Sequence, residues 1–337
     1  MLRQFWVRSL FILTFIRSDV LADETTALTG KFLWFSDLHL DPYYGKINAF
    51  RYQKHNRADC NGTSSLASPF GTYGCDAPLS LIDSAIQHSK SEIRNGFHPD
   101  FILLTGDFCR HGTDDDGGNN NPVAMIGKVL TDVSKSILRE YPHTSIVPLL
   151  GNNDAFLDYR LTIEEVPNAL LELAADKLEG LLRDGEMETF RTGGYYSRNV
   201  GPNILLIALN TLIYSSNHSP DETRIVDPFG QFAWLEQTLA KAASNPSVNV
   251  YIVGHIPPTI GSYRKNQYWH DQYLDVYFRI VERYDDMIAA QLYGHAHSDE
   301  FRVLRYPTND AKVMPPLLMN GALTPVFGNN PNFRLVK

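Results

Sequence analysis

Five short segments set acidic, amide or imidazole side chains at the ends of apolar runs: Asp37-Leu38-His39, Gly106-Asp107, Gly151-Asn152-Asn153-Asp154, Gly254-His255 and Gly294-His295-Ala296-His297. Taken singly, each is weak. An Asp-x-His triplet arises by chance in roughly one chain of this size in two or three at average residue usage. A lone Gly-Asp or Gly-His is usually a turn. The ordered series is hard to explain by satisfied turn residues alone. Its donors are Asp37, His39, Asp107, Asn152, His255, His295 and His297. Imidazole and carboxylate donors without a thiolate suit zinc, iron or manganese better than calcium. Seven donors are too many for one tetrahedral ion and suit two ions sharing a bridging carboxylate. Two such ions roughly 3.5–4 Å apart can activate a bridging water and clamp phosphoryl oxygens during in-line displacement. The chemistry implied is hydrolysis at phosphorus.

These groups must be brought together by the elements before them. The apolar runs cover residues 32–35, 101–104, 146–150, 204–209, 250–253 and 290–293. Each has the length of a strand buried on both faces. Between them, Leu79, Ile82, Ile86 and Ile93 recur at helical spacing until Asn95-Gly96, and Met125, Val129, Val133 and Ile137 do so until Pro142. Residues 163–183, 231–243 and 271–285 also read as helices. Strand–helix alternation predicts a layered α/β domain. In open α/β sheets ligands gather at the carboxyl ends of strands, which would bring the five segments together. Residues two apart in extended chain share a face, so Asp37 with His39, and His295 with His297, would point the same way. The acidic stretch over 112–122 reads as a flexible surface loop, with a mobile lid as the alternative.

Charge and cysteine usage narrow the class. The chain has 337 residues, 30 Lys plus Arg and 38 Asp plus Glu, for a formal charge of −8. A basic excess suited to a nucleic-acid scaffold is absent, and no apolar run reaches the ~18 residues of a strong membrane span. Arg3 and Arg8 precede an apolar stretch that leads to Val20-Leu21-Ala22, the pattern of a signal peptide over residues 1–22. Asn61-Gly62-Thr63 and Asn217-His218-Ser219 are glycosylation sequons. Cys60 and Cys75 flank a Gly/Ser/Pro-rich loop and could pair in an oxidising compartment, leaving Cys109 over. The alternative is three unpaired thiols.

At these residues the sequence resembles the calcineurin-like binuclear metallophosphoesterases. That family's pattern runs Asp-x-His, Gly-Asp, Gly-Asn-His-Asp/Glu, Gly-His, Gly-His-x-His. The resemblance implies that Asp37, His39 and His297 hold one metal with Asp107, that Asn152, His255 and His295 hold the other, and that Asp107 bridges. Ser36-Asp37-Leu38-His39-Leu40-Asp41-Pro42-Tyr43-Tyr44, Gly74-Cys75-Asp76-Ala77-Pro78 and Gly254-His255-Ile256-Pro257-Pro258 look like the branch of acid sphingomyelinase-like phosphodiesterases and endopolyphosphatases. That branch implies a four-layer α/β/β/α sandwich, zinc ahead of iron or manganese, and a secreted, lysosomal or vacuolar monomer. It also implies a single catalytic domain over residues 23–337, ending before the helical C-terminal region of relatives. Candidate substrates are nucleotide-type phosphodiesters, polyphosphate and phospholipid head groups, and the reaction is attack by a metal-bridging hydroxide. Where the family has Gly-Asn-His, this chain has Gly151-Asn152-Asn153, so the usual proton-donor candidate is replaced. His111, four residues past Asp107, is the expected general acid, with Asn153 orienting a phosphoryl oxygen. The alternative class is a catalytically weak metal-containing binding protein. His270 is a further candidate for the cleft lining.

Overall fold

The computed structural model describes residues 9–11, 30–46, 49–50, 60–61, 68–94, 96–113, 121–163, 165, 167–221, 223–262 and 265–337. Of the expected leader only Ser9–Phe11 lies within them, as a short edge strand, β1. Residues 114–120 of the acidic stretch lie outside them.

The runs at Phe32–Phe35 (β2) and Phe101–Leu104 (β3) are strands with every residue buried, and Ser145–Pro148 (β4) follows. These three are parallel, with Phe35 opposite Leu104 and Leu104 opposite Pro148. Their carboxyl ends are therefore level. Arg334–Val336 (β13) returns antiparallel beside β2, and the first sheet runs β1-β13-β2-β3-β4.

The second sheet contains Tyr196–Gly201 (β5), Ile204–Ala208 (β6), Asn249–Val253 (β7), Ile288–Tyr293 (β8), Glu300–Arg302 (β9) and Leu317–Met319 (β12). Its order is β5-β6-β7-β8-β12-β9, and β6, β7, β8 and β12 are parallel neighbours. Arg305–Tyr306 (β10) and Asn309–Val313 (β11) form a separate hairpin.

Parallel neighbours need crossovers, and helices supply them. Leu79–Arg94 (α1) joins β2 to β3, and Pro122–Glu140 (α2) joins β3 to β4. Gln231–Ala242 (α5) and Asp271–Arg283 (α6) do the same for β6 to β7 and β7 to β8. Asn121 caps α2 by accepting the Ala124 N–H at 2.9 Å, and Pro122 fits the first turn, where an N–H would be unpaired. Met125, Val129, Val133 and Ile137 are all buried, as their spacing implies. One contiguous core draws on both sheets and all six helices, from Ile82 and Ile126 to Trp34, Leu206, Leu235 and Tyr277. Truncating a fully buried member such as Leu103 to Ala would cost about 2–5 kcal/mol.

The two sheets meet face to face. Tyr196 Oη donates to Pro148 O at 2.8 Å, Asn320 Nδ2 donates to Trp34 O at 2.9 Å, and the Phe32 and Tyr251 rings lie 6.1 Å apart. With crossover helices outside, this is the four-layer α/β/β/α sandwich. The single helix expected over 163–183 is instead Ala169–Lys177 (α3) followed by Asp184–Gly193 (α4). Pro167 precludes an early start, and Asn168 caps α3 by accepting from Leu170 N and Leu171 N. Gly180 then follows the last turn of α3.

Candidate metal centre

The level strand ends deliver the five segments to one place. His295 N donates to both Asp37 carboxylate oxygens at 3.1 Å, Thr324 N donates to Asp37 O at 3.1 Å, and His255 Nδ1 lies 2.7 Å from Thr105 O. All seven expected donors are gathered there. Asp37, His39, Asp107, Asn152, His255 and His297 are buried, and His295 is partly so. The local reason differs from the one expected. Asp37, His39, Asp107, His295 and His297 all have positive φ, between 43° and 69°, so they stand in left-handed turns rather than extended chain. Five of the eight such non-glycine residues among those described belong to this centre. Close approach explains the glycines: a Cβ on Gly151 would lie 2.1 Å from Asp107 Oδ1.

Hydrogen bonds fix which atoms face inward. A carbonyl oxygen only accepts, so His39 Nδ1, 2.9 Å from Cys109 O, carries a proton, and so does His255 Nδ1 against Thr105 O. Their Nε2 atoms are left to face the centre. His39 Nε2 lies 3.2 Å from His297 Nε2 and 3.4 Å from Asp107 Oδ2. His255 Nε2 lies 3.1 Å from Asn152 Oδ1 and 3.2 Å from Asp107 Oδ2. Asn152 donates its Nδ2 to Asp158 Oδ1 at 2.7 Å, which turns its Oδ1 inward. His297 Nε2 is 3.4 Å from Asp37 Oδ1. With both rings neutral, the His39 and His255 Nε2 lone pairs would face the Asp107 and Asn152 oxygens, a clash that a bound cation or a proton on the ring relieves. Asp107 lies beside both imidazoles.

The electrostatics agree. Burial depresses His295 to about 3 and holds His39 and His297 well below the usual imidazole range, aided by neighbouring imidazoles. These rings stay neutral, the state that ligates metal. Burial also opposes charge on His255, but the adjacent Asp107 carboxylate outweighs it and raises His255 to about 9. Asp37 rises to about 7, from burial and from the nearby Asp107 charge. The donor set fits two divalent cations, with three groups whose ligand atoms lie within 4.8 Å of one another: Asp37, His39 and Asp107; Asp107, His255 and His295; and His39, His111 and His297.

His111 is placed beside the centre, as expected, in a setting the sequence did not announce. Its ring stacks on His39 with centroids 4.0 Å apart. Its Nδ1 lies 3.0 Å from Oδ1 of buried Asp76, and its backbone N–H donates to Asp76 Oδ2 at 2.8 Å. Burial pushes His111 down, but the Asp76 charge and hydrogen bond prevail and raise it above its ordinary 6.5. Cys60 and Cys75 are disulfide-bonded and Cys109 is a buried free thiol, so the bridge anchors the segment that carries Asp76. Asn153 is engaged elsewhere than expected: its N and Nδ2 donate to Asp107 Oδ1 and Oδ2 at 2.8 and 2.9 Å. Asp154 accepts from Gly151 N and Cys109 N and ties two of the loops together. The sixth strand end, silent in the sequence reading, contributes Thr211, whose Oγ1 accepts from His255 N and Ile256 N. His270 precedes the first turn of α6 and belongs to none of the three groups.

A two-sheet sandwich whose strand ends converge on buried Asp, Asn and His donors defines a metal-dependent phosphohydrolase. The model of the calcineurin-like phosphoesterase family matches residues 30–299, and the chain belongs to that family. It is 31% identical over 340 residues to sphingomyelinase phosphodiesterase D of Dictyostelium discoideum, covering 94% of this chain and 73% of that protein. It is 32% identical over 333 residues to cyclic GMP-AMP phosphodiesterase SMPDL3A of Mus musculus, covering 93% and 69%. Among solved structures, a dimetal phosphatase from Danio rerio shares the fold, with a TM-score of 0.52 at 11% identity and 87% of each chain covered. These relationships place the chain in the acid sphingomyelinase-like branch and make it a metal-dependent phosphoric ester hydrolase. No helix among the described residues is long and apolar enough to cross a membrane.

Proposed function

We propose that the chain hydrolyses small phosphodiesters with two divalent ions, zinc ahead of iron or manganese. Asp37, His39 and His297 hold one, Asn152, His255 and His295 the other, and Asp107 both. The observation that carries this reading is the convergence of donor atoms around Asp107, with His39 and His255 fixed by carbonyl partners so that their Nε2 atoms face inward. Bound ions of this kind lower the pKa of water and neutralise phosphoryl oxygens. Asn153 holds Asp107 by two hydrogen bonds and so fixes the shared carboxylate.

His111 is the general acid. Asp76 takes its Nδ1–H, orients the ring and favours the imidazolium, leaving Nε2 to protonate the departing oxygen. Phosphodiester specificity is supported by the names of the Dictyostelium discoideum and Mus musculus relatives. A charge of −8 disfavours a long polyanion such as polyphosphate. The disulfide and the exposed sequon residues Asn61 and Asn217 support an oxidising location, secreted or in the lysosomal or vacuolar lumen.

The test is His111→Ala on two substrates. Hydrolysis of a diester with an alkyl leaving group should fall by about 10²–10⁴-fold, the worth of a general acid. A p-nitrophenyl leaving group departs without a proton, so its hydrolysis should hardly change. Equal losses on both, or none on either, would refute the assignment.

A further inference from the structure

We propose that Trp34, Thr105 and Ser36 form a one-way hydrogen-bond relay that positions Asp37 and sets how tightly the Asp37 side of the centre holds its ion. This rests on the reading of Asp37 as a metal ligand. The relay begins in the core. Trp34 Nε1, which can only donate, lies 2.9 Å from Thr105 Oγ1. That contact occupies the Thr105 oxygen as an acceptor and frees its hydroxyl proton. Thr105 Oγ1 donates to Ser36 Oγ at 2.7 Å, and Ser36 Oγ donates to Asp37 Oδ2 at 2.5 Å. The Asp37 carboxylate takes the single Ser36 proton, so Ser36 Oγ must accept from Thr105, and the donor-only indole closes the other end. All four residues are fully buried, so no solvent competes with the chain.

The geometry at Asp37 shows what the relay accomplishes. Oδ2 receives the Ser36 hydroxyl, while Oδ1 faces His297 Nε2 at 3.4 Å and His39 Nε2 at 4.0 Å. The carboxylate is thereby held with one oxygen toward the imidazoles. Thr105 also serves the other side, because its carbonyl accepts from His255 Nδ1 at 2.7 Å. One threonine thus braces a candidate ligand of each ion, through its hydroxyl on one side and its backbone on the other. The relay further explains Gly294. A Cβ there would lie 2.1 Å from Ser36 Oγ and 2.9 Å from Asp37 Oδ2, so the Gly-His-x-His segment can pass only without a side chain.

These are positioning residues, and their test reads metal binding rather than turnover. Thr105→Val keeps the shape and the carbonyl but removes the hydroxyl. Ser36→Ala is a smaller lesion that removes only the last link. Thr105→Ser restores the relay. Zinc stoichiometry and affinity are measured by competition with a chromophoric chelator, and the Trp34 indole N–H is followed by ¹⁵N NMR. Thr105→Val and Ser36→Ala should each weaken one of the two ions by about 10–100-fold, the usual effect of losing a partner behind a ligand. Thr105→Ser should stay within a few-fold of wild type. The indole resonance should shift in Thr105→Val and respond to zinc in the wild type. Two ions bound at wild-type affinity in both Thr105→Val and Ser36→Ala would overturn the relay. Asp37→Ala separates the causes. If it loses one ion while the relay variants keep two, the relay alone fails; if it keeps both, the metal assignment fails and the relay with it.

Discussion

The two flanks of the centre are built from different chemistry. On the His39 and His297 side, rings are stacked outward from the site: His111 lies on His39, and Phe50 lies 5.3 Å beyond His111. Phe327, 42% exposed, sits 4.6 Å from His297 and 5.3 Å edge-on to His111. On the other side His295 meets the edges of Tyr159 and Tyr268, at 6.2 and 4.9 Å, and Tyr159 Oη is 3.4 Å from His295 Nε2. Burial raises both tyrosines above an already high phenol pKa. They can orient an imidazole but do not exchange protons near neutrality. An imidazole backed by a carboxylate can, and on the first flank His111 is one that stands outside the seven candidate ligands, held by Asp76. With His111 as the proposed general acid, the centre would deliver protons on one side and only hold ligands on the other.

The most severe way to break this asymmetry is to remove what both flanks share. Asp107→Asn should bind neither ion tightly and lose about 10³-fold or more in kcat/KM on every substrate, since several kcal/mol of charge stabilisation goes with the ions. Elemental analysis alongside turnover checks it, and chelation of the wild type should lower activity and Tm together. Two bound ions in Asp107→Asn would remove the shared-carboxylate reading.

A smaller lesion sharpens the contrast. Asp76 raises the pKa of His111, and the acid works only while protonated. Activity on an alkyl-leaving diester should thus fall as pH rises through that pKa. Asp76→Asn removes the raising charge, so the alkaline limb moves to lower pH, while the p-nitrophenyl profile stays put. The stability link has the same sign. A raised imidazole pKa stabilises the fold at low pH, and that contribution fades as pH climbs through it. Unchanged pH–rate profiles would separate Asp76 from the acid.

The smallest effect is expected opposite. Tyr159→Phe removes one hydrogen bond to His295, worth about 0.5–1.5 kcal/mol. The loss should be about 2- to 10-fold, equal for both leaving groups. A loss confined to the alkyl substrate would put a proton donor on the second flank and end the comparison.

How far the sequence reached follows the same division. That the seven candidate donors would converge was legible because each follows an apolar run with the length of a buried strand. Asp76 was not, because it meets His111 across 35 positions and no local pattern links them. Ser36 and Thr105 carried no signal of their own, because Thr105 meets Trp34 and Ser36 across 71 and 69 positions. The split between α3 and α4 was missed because apolar spacing over 163–183 outweighed Pro167 and Gly180 in the reading. Strands such as β9 and β12 are three residues long, too short for any period to show.

The left-handed turns at Asp37, His39, Asp107, His295 and His297 also bear on how the chain tolerates change. Left-handed backbone costs about 1–2 kcal/mol per ordinary residue and less for glycine, asparagine or aspartate, so the cost falls mainly on the three histidines. The centre is thus a standing charge against the fold, recovered only when a ligand makes those side chains useful. Replacing His39 or His297 by asparagine or glycine ought to relieve that conformational debt while destroying the chemistry. In an unselected population of variants, the most heat-resistant chains should include dead ones, and screening for robustness alone would drift away from catalysis.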